Sequence, residues 1–563
     1  MRGLCIKASP GRRCKREDPA QAISFLPFSI RSFFRWPTVP AAARCSRMVA
    51  TVCDKMMVMI DVVVIGAGLG GLMAASKIAA AGKKVLVLEK KPLPGGTSYI
   101  FRRAGYTFPM GPLSFSFSGR VQGFLEAAGI GEKVPFRRSG FELRTPDIDV
   151  MMSQTLADLE SELGGTFPGE RDGLARFFRQ LESAISASKD MDLWHPDFAL
   201  PRMARPAGRR TVPAEPDRVE EIRRLSVLPA ARVLDGLIGS APLRNFLGSM
   251  GTARPEMSMF NLASMWNVMA VEGIWFPTGG VHGMADILRR RLRDLDVEVR
   301  LAAPARKILV RQGRAAGVVT AQGEALEAQW VISNADYKTT FLELLDAADV
   351  PGLDLGAVRD IPYTGSEFCV YLGLRPEEVD LGAIRAEHLF YRREIRGAPK
   401  PELEDFDDRE IEICLWSRKA PDLVPAGRAS LVLRAGFPYR HFEAWRTGYR
   451  LRKEGYAEHK RRLAERLIGT AESVLPGLSG AVEVMETATP LTYRDWGNRY
   501  EGSIAGWTWS GRDSARLPGK ILVRTPVPGL LVAGAYAASE LFLGGIPTAL
   551  YTGSLAADLV LAG

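Results

Sequence analysis

The stretch that most constrains the fold is residues 60 to 89, IDVVVIGAGLGGLMAASKIAAAGKKVLVLE. Ile60 to Ile65 is a β-branched run, the mark of a strand buried on both faces. Gly66-x-Gly68-x-x-Gly71 comes immediately after it. A helix of small residues comes next (Ala74, Ala75, Ala79, Ala80, Ala81) and ends at Gly82. Val85 to Leu88 is a second strand, closed by Glu89. In a β-α-β unit of this kind Gly66 permits the tight turn and Gly68 lets the backbone approach a pyrophosphate. Gly71 lets helix and strand pack closely. Ala67, Leu69 and Gly70 complete the turn, whose free N–H groups and helix dipole favour phosphate. Glu89, 21 residues after Gly68, is placed to accept both hydroxyls of an adenosine ribose, with Lys90 beside it. A carboxylate there repels a 2′-phosphate, which argues against NADP. Glycines that serve packing alone are the bland alternative. The complete unit, ending in an acid, is far more specific than the glycines by themselves.

Charge and cysteine divide the chain in the same place. The net charge is +10, but residues 1 to 55 hold 11 Lys/Arg against 3 Asp/Glu, which leaves the remainder at +2. A nearly neutral body gives no argument for nucleic acid as a partner. Cys5, Cys14, Cys45 and Cys53 also lie in that first stretch. Cys369 and Cys414 are far apart, so there is neither a disulfide framework nor a zinc spacing, and a reducing compartment is expected. The 5 His are scattered without an HxxxH pair, and no metal is expected. Residues 1 to 55 read as an organelle transit peptide or as sequence upstream of the true start at Met48, Met56, Met57 or Met59. The corresponding locations are a plastid or mitochondrion, or the cytoplasm with contact at a membrane surface. Val62 to Ser76, 15 residues rich in glycine, is too short to span a bilayer.

FAD and NAD both use such a unit, and the residues after Glu89 separate them. KKPLPGGTSYIFRRAGYTFPMGP (90 to 112) places the pair Gly95-Gly96 with Thr97 just after Glu89, then two short strands, then Gly111 and Pro112. This resembles the flavoprotein family of phytoene desaturases, carotenoid isomerases and retinol saturases. Further segments resemble it in order. WFPTGGVHGMADILRRRL (275 to 292) is similar to its glycine-pair turn before a helix. VEVRLAAPARKILVRQGRAAGVVTAQGEALEAQWVISNAD (297 to 336), which contains Ala305, is similar to its β-meander and return strand. TPLTYRDWGNRYEGSIAGW (489 to 507) is similar to its approach to the flavin, and GLLVAGAYAASELFLGGIPTALYTGSLAAD (529 to 558) to its closing strand and helix.

The resemblance implies an α/β fold: a Rossmann-type FAD-binding domain of the two-dinucleotide-binding-domain kind, with a discontinuous α+β substrate domain. The FAD pieces are expected at 56–135, 275–340 and 485–563, and the substrate pieces at 136–274 and 341–484. It implies that Gly534 and Ala535 lie against the flavin and that the terminal helix aims its N-terminus at the ring's pyrimidine edge. Gly544 and Gly545 would admit the backbone there, with Ile546 and Thr548 as donors. The implied activity is dehydrogenation, saturation or isomerisation of a hydrophobic isoprenoid or polyene, by hydride transfer to or from flavin. No catalytic side chain is assigned.

Two acids of the family pattern are absent. Ala535 stands where Asp or Glu follows the closing glycine, and Pro109 stands where Asp follows Phe. Glu540 is a candidate replacement from the loop, an exposed loop carboxylate being the plainer reading. In the substrate region, Met250, Met257, Met259, Met265, Met269, Phe260, Trp266 and Trp275 suit either a pocket for a long apolar molecule or ordinary core packing. Arg202, Arg205, Arg209 and Arg210 are candidates for anionic lipid headgroups or lie in a solvated loop. Two other functions stay open: an amine or amino-acid oxidase, with Trp507 and Trp509 as an aromatic wall, and a flavin-binding protein without turnover.

Overall fold

The computed structural model describes residues 60–189, 216–361, 363–396, 402–504, 506–507, 522–538 and 545–563. The N-terminal extension, the four arginines from Arg202 to Arg210, Trp509, Glu540 and Gly544 lie outside them.

β1 (Ile60–Ile65), α1 (Leu69–Ala80) and β2 (Val85–Leu88) form the unit expected from the sequence. β1 runs parallel to β2, with Val63 opposite Leu86, and parallel to β3 (Ala325–Ser333), with Val63 opposite Val331. The strand Glu298–Arg300 extends the sheet beyond β2. β3 has two halves. Its first half pairs antiparallel with Arg314–Thr320, Gly317 opposite Glu327, and its burial alternates. Its last three residues are all buried and run parallel between β1 and Leu530–Val532, Val331 opposite Leu530. The change from alternation to continuous burial is what one-sided and two-sided cover of a strand require.

The terminal helix α2 (Gly545–Ala562) lies along α1. The approach is close because both faces carry glycine: a Cβ on Gly553 would stand 2.2 Å from the Gly70 carbonyl oxygen. By length and composition α2 could cross a membrane, but 67% of it is buried inside the protein.

A second sheet of seven strands takes the order 482–488, 366–374, 429–437, 411–414, 388–391, 141–144, 149–151. It is antiparallel except where His388–Tyr391 runs parallel to Phe141–Arg144. One core lies under the parallel sheet, one behind the second sheet, and a third in the helices between residues 156 and 270. That third core takes up much of the methionine-rich segment. Met259, Met265, Met269, Phe260 and Trp266 are buried in it, and Trp266 donates its indole N–H to the Leu247 carbonyl at 2.8 Å. These residues pack a core; they do not line the cavity at the ends of the parallel strands.

Candidate functional site

The parallel strands end at one cavity of about 490 Å3, large enough for a cofactor. Gly66 follows β1, Glu89 follows β2, Asn334 follows β3 and Gly534 follows the last strand by two residues; all four line it. Gly68 and Gly95 form a bridge across the turn, and the Gly95 N–H donates to the Ala67 carbonyl at 2.6 Å. A Cβ on Gly96 would stand 3.2 Å from the Gly68 Cα, and Gly96 has φ +63°, so both the close approach and the backbone angle favour glycine there. The Glu89 carboxylate accepts the Ala67 N–H at 2.7 Å and the Lys91 N–H at 2.9 Å. Each carboxylate oxygen keeps a further lone pair, and Glu89 lines the cavity, as a ribose diol requires.

Asn334 is the hub of this cradle. Its amide donates to the Gly66 carbonyl at 3.4 Å. A Cβ on Gly68 would come within 2.6 Å of it, and a Cβ on Gly70 or Gly534 within 2.7 Å. Three glycines from two distant segments are therefore shaped around one side chain. Thr552 of α2 closes the arrangement: it accepts the Gly534 N–H at 2.9 Å, and its one proton has the Thr548 carbonyl at 2.8 Å and the Gly534 carbonyl at 3.0 Å within reach. A helix N-terminus, a glycine-lined wall and an acid at the end of the second strand fit FAD.

The family model described as flavin containing amine oxidoreductase matches residues 69–561. The chain belongs to this family. Its cofactor is FAD, and it is an oxidoreductase. Among curated relatives, a chloroplastic prolycopene isomerase of Daucus carota is 26% identical over 465 residues, 79% of this chain and 71% of its own. A zeta-carotene-forming phytoene desaturase of Myxococcus xanthus is 25% identical over 465 residues, 78% of this chain and 82% of its own. An all-trans-retinol 13,14-reductase of Danio rerio is 24% identical over 535 residues, 88% of this chain and 86% of its own. The solved structure of putrescine oxidase bound to putrescine superposes with a TM-score of 0.56 at 15% identity, covering 90% of this chain and 99% of its own. That likeness speaks for the fold alone.

Of the residues this flavoprotein was expected to use, Gly66, Gly68, Leu69, Gly70, Glu89, Lys90, Gly95, Gly96, Thr97, Gly111, Pro112, Ala305, Gly534, Ala535 and Gly545 line the cavity. Ala67 and Gly71 lie behind it: Ala67 holds Glu89, and a Cβ on Gly71 would stand 2.1 Å from the Gly66 oxygen. Ile546 and Thr548 are buried off the lining, and the terminal helix presents Gly545 and Ala549 instead. Pro109 is buried in a hairpin opposite Ile100 and does not line the cavity. Trp507 is not a cavity wall. It is buried beside Tyr337 and Tyr363 and donates to the Tyr536 carbonyl at 3.0 Å.

Several polar lining residues carry no local motif. Asp336 caps the helix Tyr337–Leu342 and accepts from the Lys338 N–H at 2.9 Å, the Tyr363 hydroxyl at 2.7 Å and the Tyr500 N–H at 3.2 Å. Burial still pushes its pKa up. Glu367 accepts the Tyr493 hydroxyl at 2.7 Å and pairs with Arg434 at 3.3 Å. Arg434 in turn faces Glu412 at 3.0 Å, and Glu412 holds His388 at 2.7 Å. Burial pushes the Tyr493 phenol well up, and so does the neighbouring Cys369. Lys91 is held down to about 8, chiefly by burial.

Away from the cavity, Glu404, His441 and His459 come together, with their ligand atoms within 4.8 Å of one another. The sequence spacing gave no hint of this group. The Arg462 guanidinium lies 3.1 Å from His459 Nδ1, and Arg466 lies 3.2 Å from Glu404. A metal-bound imidazole usually offers its second ring N–H to an acceptor. A guanidinium in that place is a poor match for a cation site.

Proposed function

We propose that this flavoprotein acts on a hydrophobic isoprenoid or polyene, by desaturation, saturation or isomerisation. The observation that carries the reading is the alignment with carotenoid and retinoid enzymes over most of the chain, whereas amine-oxidase structures share the fold only at low identity. FAD supplies transfer of a hydride equivalent. The chain's own residues bind and orient. The β1–α1 turn takes the pyrophosphate, Glu89 the adenosine ribose, and the Gly534–Ala535 turn with the start of α2 the flavin end.

The same reading divides the chain into an FAD-binding part (56–135, 275–340, 485–563) and a substrate part (136–274, 341–484). The pairing of Val482–Ala488 with Ser366–Leu374 supports moving the last boundary from 485 to the end of that strand, which then belongs wholly to the substrate part. Delivery of such a substrate calls for contact with a membrane surface. The exposed Tyr449, Leu451 and Trp496, beside Lys90 and Arg450, are suited to it. The chloroplastic relatives support the organelle alternative for residues 1 to 55.

The test is a visible spectrum of the freshly purified full chain, followed by incubation with phytoene, prolycopene or all-trans-retinol and chromatography of the products. Yellow protein and a changed polyene are expected. Release of hydrogen peroxide with small amines, and no change in any polyene, would replace this reading with that of an amine oxidase.

A further inference from the structure

Among the described residues, Arg499 is a cation without a paired carboxylate in the wall of the cofactor cavity. It lines the cavity between the Gly95-Gly96-Thr97 turn and Tyr536. Its guanidinium donates to Thr97 Oγ1 at 2.6 Å, to the Ser503 carbonyl at 3.2 Å, to the Tyr536 hydroxyl at 3.4 Å and to the Ile504 carbonyl. Every one of these partners is neutral. Among the described residues no carboxylate lies within ion-pair distance of it, whereas Arg434 has Glu367 and Arg494 has Glu343. Lys91, in the same cavity, loses proton affinity first to burial and in part to the charge of Arg499. A half-buried guanidinium held in place by neutral acceptors is arranged for an anion that arrives from outside.

The position identifies the anion. Thr97 directly follows Gly96, which packs on Gly68 at the N-terminus of α1. Backbone N–H groups, a helix dipole and a fixed guanidinium therefore converge on one place. We infer that Arg499 binds the pyrophosphate of FAD and supplies the positive charge that the glycine turns lack. It is a binding residue contributed from more than 400 positions along the chain. Thr97 is its positioning residue. The inference rests on FAD occupying this cavity.

The experiment titrates flavin-free full-length protein with FAD, riboflavin and ADP. Riboflavin carries the ring without phosphate, and ADP carries the diphosphate without the ring. Arg499→Ala is expected to weaken FAD and ADP binding together, by about 10- to 100-fold, and riboflavin binding by less than about 2-fold. Arg499→Lys should recover part of the loss, and added salt should weaken FAD binding less in Arg499→Ala than in the wild type. Thr97→Ala leaves the charge in place but unanchored, and should show the same FAD-over-riboflavin pattern at smaller size. It decides the matter if Arg499→Ala fails to fold.

An equal loss of riboflavin and FAD would overturn the inference. So would unchanged FAD affinity with a shifted flavin reduction potential, which would place the charge at the ring. Wild-type protein that bound neither FAD nor ADP would sink the cofactor site and this inference with it. Wild-type binding matched by Arg499→Ala would sink this inference alone.

Discussion

Replacing Gly553 by alanine probes the joint on which the flavin end of the site depends. The added Cβ would lie 2.2 Å from the Gly70 oxygen, 2.9 Å from its carbonyl carbon and 3.0 Å from its Cα. These are backbone atoms at the start of α1, so no side chain can rotate away. Relief requires α1 and α2 to separate by about 1.3 Å or more, since such contacts settle at about 3.5–4.0 Å. Over-packing of this kind costs about 1–3 kcal/mol. The same separation moves Gly545 and Ala549 away from the Gly68–Gly70 turn, so FAD affinity falls as well. Gly469 is the control. It lies in the helix Tyr456–Glu472, and its Cβ would meet nothing within 4 Å. Alanine there should stabilise by about 0.5–1 kcal/mol, by helix propensity alone. Urea unfolding and FAD titration of the two variants decide the matter. If Gly553→Ala matched the wild type in both, the close contact of the two helices would not be what holds the cradle.

Glu89→Gln keeps the shape of the side chain but loses the charge-assisted bonds, and should weaken FAD binding by about 10-fold or more, measured by flavin fluorescence. Ala535→Asp restores the acid of the family pattern at a lining position, and should raise FAD affinity by the worth of one hydrogen bond, about 2- to 10-fold; no gain would count against the role given to that position. The buried His388–Glu412 pair predicts a pH window. Burial opposes charge on the His388 ring, but the Cys414 sulfur and the Glu412 carboxylate outweigh it and raise its pKa to about 10. The stability it adds is complete below its ordinary value of 6.5 and is lost as pH rises toward 10. Burial likewise opposes charge on Glu412, but Arg434 and His388 lower its pKa to about 2, so its contribution is complete above 4.5 and is lost on acidification toward 2. His388→Asn should flatten the alkaline limb of a Tm-against-pH curve; an unchanged limb would refute the pairing.

β1, α1, β2 and Glu89 were legible because each requirement of a dinucleotide turn lies within 30 consecutive residues. Asn334, Asp336, Glu367, Arg434, Tyr493 and Arg499 were not. They become neighbours only when β3 pairs with β1 and the second sheet closes over the cavity, and no local spacing marks that event. The methionine-rich segment shows a different limit, because a flexible apolar side chain suits a pocket and a core equally well.

The terminal helix shows how one signal outranks another. The resemblance implies Ile546 and Thr548 as backbone donors at the flavin end of this helix. What sets the helix phase is the stripe Gly545, Ala549, Gly553, at four-residue intervals on one face. Gly553 meets the Gly70 backbone, and that contact turns Ala549 and Gly545 toward the cavity. The side chains of Ile546 and Thr548 are then carried round into the core by geometry alone. The stripe is readable in the sequence once α1 is known to carry a glycine to receive it. The fold and the flavin end of the site therefore share one determinant, the closest approach of the first helix to the last.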